Sequence, residues 1–173
     1  SNKMLQNEYR RVGKNYKLTS NFGHVREYKS SLLNKKKNIS YFFSKLDLDL
    51  NFENYDKSNL SFNIEKVNND TFLKIFDTVL IDETKSLNPS NKDKLFSELK
   101  IFLDHEDYDL TTGFQSYENL QLQNSDRYQY ILPYYNFSQT IFPDFKFGTL
   151  NFGSNGNNDL HDTNKLKSQV IND

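Results

Sequence analysis

The chain of 173 residues contains no cysteine, no tryptophan and no alanine. The lack of cysteine excludes disulfides, zinc–thiolate sites and cysteine nucleophiles. The lack of alanine removes the best helix former, and no run of 18 apolar residues is present that could form a transmembrane helix. The mean hydropathy of −0.83 also excludes a helical membrane protein. It leaves open a transmembrane β-barrel, whose strands are half polar.

An excess of positive charge is also missing. Lysine and arginine number 22 against 23 aspartate and glutamate residues, so the net charge is −1. Nucleic-acid-binding domains usually carry a basic stripe, and we therefore expect no nucleic-acid partner. The single dense basic run, "NKKKN" at 34–38, fits a solvated turn between strands better than a phosphate or lipid-headgroup patch.

Catalytic signatures are absent as well. The sequence has no phosphate loop, no G-x-S-x-G and no HExxH. His105 lies in the acidic segment "DHEDYD", and "GSNGNNDLHD" offers further oxygen and nitrogen ligands, but neither fits a calcium-binding loop. Asp47 and Asp49 share a strand parity, as any polar strand face allows. We expect no enzyme activity, no metal site and no cofactor.

What the sequence does contain is alternation, clearest in "KLDLDLNF" at 45–52. Successive side chains of a strand point to opposite faces, so this segment has one apolar and one charged face. The same period recurs along most of the chain and predicts antiparallel strands joined by turns. The predicted strands cover 4–12, 15–23, 24–33, 39–52, 58–67, 94–105, 108–120, 127–139, 145–152 and a last one from 165. Segment 68–77 is predicted as a turn with irregular or short helical structure, and 78–93 and 153–164 as polar loops.

Two interpretations of the apolar face remain open. In a soluble β-sandwich or barrel it would be the core. The length of the predicted strands favours a membrane barrel, because strands of globular proteins most often have about 5–6 residues. Ten residues at ~3.3 Å each reach ~33 Å. Tilted by ~40°, they span about 25 Å, the height of the apolar band of an outer-membrane barrel.

The positions of the charged residues indicate which environment each face contacts. A Lys or Arg that faces lipid at the midplane costs about 2–4 kcal/mol, and the apolar faces made by Leu46–Phe52 and Leu95–Leu103 carry no charge. We expect the polar parity to line a wet lumen and the apolar parity to face lipid, with tyrosine and phenylalanine near the strand ends as interfacial girdles. We also expect Tyr128, Tyr130, Leu132 and Tyr134 to share a face. The lumen-facing candidates are Lys45, Asp47, Asp49, Glu65, Glu98 and Lys100. The lipid-facing candidates are Leu46, Leu48, Leu50, Phe52, Leu60, Phe62, Leu99 and Ile101.

The order of these segments resembles the barrel region of the LptD family of outer-membrane lipopolysaccharide-assembly proteins, also called organic solvent tolerance proteins (OstA). The resemblance runs through nearly the whole chain. It rests on "LQNEYRR" followed by "GKNYKLTSNF", on "LSFNIEKVNNDTFLKIFD", and on the hairpin "LFSELKIFLDHEDYDLTTGFQSYENL". "RYQYILPYYNFSQ" and "DFKFGTLNF" continue the same order. These are patterns of strand and turn, not catalytic signatures.

The resemblance implies a function in the outer membrane of a Gram-negative bacterium. Such a protein moves lipopolysaccharide to the outer leaflet, with an LptE-like lipoprotein plug inside the barrel and a periplasmic Lpt bridge feeding it. We therefore expect an all-β antiparallel meander, with residues 1–173 as a single segment of a β-barrel domain. About eight to nine strands are expected, truncated at both ends. The alternatives are a soluble or cell-surface β-domain that binds a ligand or partner, and a complete small outer-membrane barrel.

Overall fold

One antiparallel sheet of nine strands accounts for nearly all of the described structure. The computed structural model describes residues 3–29, 36–76, 87, 93–144, 146, 148–161 and 165–173. Each strand pairs with its neighbours in sequence, in the order β1 to β9. The prediction of an all-β antiparallel meander is confirmed, and the sheet is open, with β1 and β9 at its two edges.

The strands are long, as the alternation predicts. They are β1 (Met4–Val12), β2 (Tyr16–Lys29), β3 (Lys36–Asp49), β4 (Lys57–Val67), β5 (Lys94–Asp104), β6 (Tyr108–Asn119), β7 (Tyr128–Asp144), β8 (Gly148–His161) and β9 (Lys165–Asn172). A short helix, α1 (Phe72–Ile75), follows β4, and a 3₁₀ turn (Asn124–Arg127) precedes β7. In the part of the chain that the structure describes, no helix is long and apolar enough to cross a bilayer.

The connections between consecutive strands lie at two opposite ends of the sheet. The chain reverses within 13–15, 50–56 and 105–107, and between Asp144 and Gly148, all at one end of the sheet, here called the turn edge. The end of β4 and the start of β5, and likewise the end of β6 and the start of β7, lie at the opposite end, here called the loop edge. Most of the predicted polar loop at 78–93 falls outside the described residues.

Three predicted boundaries, in β2, β8 and β3, are wrong, and two strands also extend beyond their predicted ends: β3 begins at Lys36, within the predicted lysine turn, and β7 continues to Asp144. The predicted break at Gly23 does not exist, because β2 runs unbroken from Tyr16 to Lys29. The ring of Tyr41, on β3, lies where a Cβ of Gly23 would be, so this glycine makes room for an aromatic side chain within the sheet. The predicted loop at 153–164 is largely β8, which is hydrogen-bonded to β7 on one side and β9 on the other.

The third correction concerns the end of β3. The strand stops at Asp49, and the left-handed backbone of Asn51 (φ 52°) starts the reversal towards β4. Asn51 is well suited to this conformation, since its short polar side chain hydrogen-bonds locally. Leu50 and Phe52 therefore lie in the turn and do not extend the alternation of β3.

The main buried cluster sits at the loop edge. On β2 and β3 its members are Val25, Ile39, Tyr41 and Phe43. Phe72 and Leu73 of α1 cover them, and the rings of Phe72 and Tyr41 are 5.4 Å apart. The four strand residues have the parity of Lys45, so the face that is charged near the turn edge becomes apolar beneath α1.

An ion pair also attaches the end of α1 to the residue that precedes β5. Lys74 Nζ lies 2.6 Å from Asp93 Oδ1, immediately before β5. The hydrogen bond from Lys74 lowers the pKa of Asp93, so this contribution to stability is present at neutral pH and is lost as the pH falls through the lowered pKa. Both groups are exposed enough for salt to screen them.

Candidate functional site: the two faces of the sheet

The strand register separates the predicted residues into two faces. One cross-strand row joins Leu18, Leu46, Phe62, Leu99 and Phe114, and the next joins Tyr16, Leu48, Leu60, Ile101 and Thr112. These rows define the apolar face. Six of the eight lipid-facing candidates, Leu46, Leu48, Leu60, Phe62, Leu99 and Ile101, lie in them, whereas Leu50 and Phe52 lie beyond the strand.

The charged candidates lie on the opposite side, the polar face. Lys45 pairs with Asn63 and Asn63 with Glu98, while Asp47 pairs with Ser61 and Ser61 with Lys100. Asp49 is at the end of β3, where its Oδ1 accepts the Asn51 N–H at 3.1 Å. The register thus places Lys45, Asp47, Asp49, Glu65, Glu98 and Lys100 on one face.

A cavity of 600 Å³ opens on the polar face near the turn edge. Its lining includes Lys17, Asp47, Ser61, Lys100 and Thr111, one from each strand from β2 to β6. Five strands spaced by ~4.8 Å are about 19 Å across, and this one cavity touches them all. Lys17, Asp47 and Lys100 therefore share one hollow of the polar face with the hydroxyl groups of Ser61 and Thr111.

Glu98 is the centre of a hydrogen-bond network on this face. Its Oε1 accepts from Tyr134 Oη at 2.8 Å and from Gln115 Nε2 at 2.8 Å. Lys100 Nζ is 4.0 Å from the other carboxylate oxygen. Three strands, β5, β6 and β7, are joined by this one side chain.

Removal of the Tyr134 hydroxyl tests that network. We expect Tyr134→Phe to lower the free energy of unfolding by about 1.5–3 kcal/mol, the range for hydrogen bonds to a charged group. Tyr135→Phe is the matched control, because its hydroxyl shares a neutral hydrogen bond with Ser154 at 3.2 Å and should cost about 0.5–1.5 kcal/mol. Equal losses of unfolding free energy in denaturant titrations would show that the charge of Glu98 does not strengthen its hydrogen bond with Tyr134.

Glu65 differs from the other charged candidates. It is buried, and its Oε2 accepts the backbone N–H of Phe96 at 2.9 Å. Backbone pairing between β4 and β5 stops at Asn63 and Glu98. Beyond that point the Glu65 carboxylate accepts its hydrogen bond from β5, where the two strands separate. Glu65 therefore connects strands instead of lining the cavity.

The prediction that Tyr128, Tyr130, Leu132 and Tyr134 share a face is wrong, because Tyr134 lies on the opposite face from Tyr128 and Tyr130. The register shift between Ile131 and Tyr134 inserts one extra residue into β7, which is a β-bulge. Tyr128 and Tyr130 stay on the apolar face, but Tyr134 is moved to the polar face, where it reaches Glu98.

Aromatic rings follow the turn edge in an unbroken series. Tyr55 and Tyr108 share a hydrogen bond of 2.8 Å, and the ring of His105 stacks on Tyr108 at 4.7 Å. Phe137 and Phe152 extend the series, with centroids 5.7 Å from Tyr108 to Phe137 and 6.4 Å from Phe137 to Phe152. Tyrosine at such an edge places an apolar ring beside a polar hydroxyl, as in interfacial belts of membrane proteins.

A second set of aromatics lies towards the loop edge of the apolar face. Tyr128 and Tyr130 lie 6.2 Å apart, and Arg127 stands over the Tyr128 ring. Arg127 Nη2 also contacts Asp70 at 2.7 Å and Glu118 at 2.6 Å. The hydrogen bond to Asp70 raises the pKa of Arg127, and Glu118 acts in the same direction. This cluster attaches the connection after β4 to β6 and β7.

The histidine and aspartate side chains that the sequence offers as possible ligands have local partners. Among the described residues, no group of three or more His, Asp or Glu side chains is close enough to hold a metal ion. His105 lies in an aromatic stack, and its Nδ1 accepts the Asp107 N–H at 3.2 Å. Asp47 is paired with Lys45 at 3.5 Å. The site is a sheet with two chemically different faces.

Comparison with known proteins gives no match: no protein-family model, no curated protein and no solved structure is significantly similar to this chain. The fold defines the class, an all-β antiparallel meander of long strands. The resemblance to the LptD family rests on the order of strands and turns in the sequence.

Proposed function

We propose that this chain forms part of the wall of an outer-membrane β-barrel, with the apolar face against lipid and the polar face towards an aqueous lumen. The observation that carries the proposal is the separation of the faces: six predicted apolar residues occupy two cross-strand rows, and all six charged candidates lie opposite. Outer-membrane barrels have the same outward apolar band, polar interior, short turns and longer loops.

The aromatic rings support this orientation. Along β7, Tyr128 and Phe137 stand on the same face, nine positions apart with one bulged residue between them. Eight regular steps of ~3.3 Å give about 26 Å, or about 20 Å after a tilt of ~40°. The two sets of rings are thus spaced to lie near the two boundaries of an apolar band about 25 Å high.

We further propose that the barrel belongs to the lipopolysaccharide-assembly class. On this proposal the cargo is lipopolysaccharide, the location is the outer membrane of a Gram-negative bacterium, and the partners are an LptE-like lipoprotein and the periplasmic bridge. Its support is the ordered resemblance of the sequence. The cavity on the polar face is lined by Lys17 and Lys100 together with Asp47, Asp49 and several hydroxyl groups. Its lysines offer contacts for the phosphates of such a cargo, and its carboxylates and hydroxyl groups offer contacts for the sugars.

Single-cysteine labelling tests the orientation, since the chain has no cysteine of its own. We expect cysteine at positions 98 and 100 to react with a membrane-impermeant maleimide in lipid vesicles, and cysteine at 99 and 101 to be protected. Each protected position is next to a reactive one in the same strand, so the comparison controls for differences in backbone exposure. Equal labelling at all four positions would contradict the proposal, as would a stable monomer that needs no detergent.

A photoreactive amino acid at position 111 tests the cargo. Thr111 lines the cavity, and in cells we expect a crosslink to lipopolysaccharide. Leu103, on the apolar face near the turn edge, is the control; the short turns of outer-membrane barrels are periplasmic, and a probe there should crosslink to phospholipid. Crosslinks to phospholipid at Leu103 but none to lipopolysaccharide at Thr111 would reject the cargo and keep the barrel.

A second candidate function is a soluble or cell-surface β-domain that binds a ligand or partner. The buried cluster under α1 favours it, because Phe72 and Leu73 are 0% and 1% exposed, as in the core of a water-soluble domain. In that case the polar cavity would be the binding site. The same labelling experiment decides between the two, since a soluble domain gives no lipid-dependent protection at 99 and 101.

A further inference from the structure

Basic side chains gather at the loop edge of β1, β2 and β3. A surface cavity of 760 Å³ is lined there by five basic residues, one acid and two apolar residues. The basic members, here called the basic edge cluster, are Lys3, His24, Arg26, Lys29 and Lys36. The acid is Glu27, and the apolar residues are Met4 and Leu5.

A β-bulge creates the cluster. Between Val25 and Tyr28 the register shifts, and Glu27 takes a left-handed backbone with φ 52°. Beyond the bulge, Lys29 pairs directly with Lys36. Like charges directly opposite each other are destabilising, and bulges are frequent next to functional sites, where they redirect side chains. Glu27 pairs with Lys36 and offsets part of this repulsion, and an anion between the two strands would reduce it further.

The charge of the cluster is only partly compensated. Glu27 accepts a hydrogen bond from Lys36 at 2.8 Å. Within the described ranges, no carboxylate lies within 4.0 Å of Lys3, Arg26 or Lys29. Three positive charges therefore face the cavity beyond the single ion pair.

The cluster continues into the apolar face. Leu5 pairs with His24, and Phe22, two positions before His24, pairs with Phe42. These three apolar side chains are exposed by 69%, 43% and 41%. A molecule on this surface would meet positive charge at the loop edge and apolar side chains below it.

We propose that the basic edge cluster binds the phosphate group of an anionic membrane lipid whose acyl chains lie against Leu5, Phe22 and Phe42. Guanidinium and ammonium groups suit phosphate oxygens. Each basic residue near a membrane surface contributes roughly a fivefold preference for anionic lipid. The inference rests on the proposed orientation of the apolar face, and it adds a ligand class and a site on the outer wall that is separate from the cavity on the polar face.

The absence of tryptophan allows a direct test. Leu5→Trp places one fluorophore beside the cluster, and Phe114→Trp places another on the apolar face far from it. The full chain, carrying one reporter at a time, is reconstituted with brominated phosphatidic acid or brominated phosphatidylcholine. We expect phosphatidic acid to quench Leu5→Trp at about one-fifth or less of the mole fraction that phosphatidylcholine needs. Phe114→Trp should be quenched equally by both.

Charge removal and a matched control complete the test. Arg26→Gln with Lys29→Gln should abolish the preference at Leu5→Trp. Lys37→Gln should preserve it, because Lys37 adjoins Lys36 in the sequence but pairs with Tyr28 on the opposite face. A preference that survives the double substitution, or that Lys37→Gln removes, would overturn the cluster as its source.

The outcomes separate this inference from the proposed function. If neither reporter is quenched by either lipid, the apolar face does not meet lipid and the proposed function fails. If both lipids quench both reporters equally, the orientation holds and the headgroup site is rejected. If inorganic phosphate alone shifts the Leu5→Trp emission in detergent, the group bound is free phosphate and the assignment to a lipid is wrong.

Discussion

Leu99→Arg should lower the free energy of unfolding in lipid vesicles by about 2–4 kcal/mol, the cost of a cation on the lipid face near the bilayer midplane. Leu99 is central in β5 and has Phe62 and Phe114 as its cross-strand neighbours on the apolar face. None of the neighbours in this row carries a charge that could pair with the new guanidinium. Urea titration of the reconstituted chain measures the loss.

Leu103→Arg is the matched control, because it lies on the same strand and face. The two positions are four residues apart, about 13 Å along the strand, and Leu103 pairs with Leu110 beside the aromatic series of the turn edge. Near the interface an arginine costs only about 0–1 kcal/mol. Leu99 and Leu103 are both half-buried, so in a soluble domain the two substitutions should lower the free energy of unfolding by similar amounts. Equal losses would therefore contradict the membrane orientation.

The period-2 pattern was sufficient to predict most strands and both faces. β1, β4, β5 and β6 lie within one residue of their predicted bounds, since side-chain alternation is a local property of the extended chain. The charged candidates from Lys45 to Lys100 share a face for the same reason: once the strands pair in register, parity alone decides the side.

Predictions based on local turn chemistry were less successful. Gly23 and the glycine- and asparagine-rich segment of β8 read as breaks in the sequence, yet both lie inside strands. In each case a tyrosine from a neighbouring strand fills the space: Tyr41 lies at Gly23, and Tyr135 Cε1 would be 2.7 Å from a Cβ on Gly156. Strand preference depends on such cross-strand neighbours, which a single segment does not contain.

Bulges account for the remaining differences. One extra residue in β7 moves Tyr134 to the polar face, and the bulge of β2 sets Lys29 opposite Lys36. The sequence shows the lysine run at 34–38 but not its partner strand, so a solvated turn was the simpler prediction. Register shifts of one residue invert parity beyond them, and the alternation on either side gives no sign of where they occur.

The helix on the polar face leads to the second large effect. We expect Phe72→Ala to lower the free energy of unfolding by about 3–5 kcal/mol, the usual cost of removing a buried phenylalanine ring. Phe72 is fully buried, and its ring contacts Tyr41 and Phe76 at 5.4 and 5.0 Å. Without it, the apolar part of the polar face loses its cover, and protease cleavage within 68–76 should become faster.

Ile75→Ala in the same helix separates this packing effect from helix propensity. Ile75 is 38% exposed, and alanine is the better helix former, so the substitution should change stability by less than about 1 kcal/mol. If both variants unfold at the same denaturant concentration as the parent chain, the packing of α1 on the loop edge contributes nothing to stability. A large loss confined to Phe72→Ala would mean that the chain covers part of its own polar face, and that α1 limits the space available to any cargo at the loop edge of a lumen.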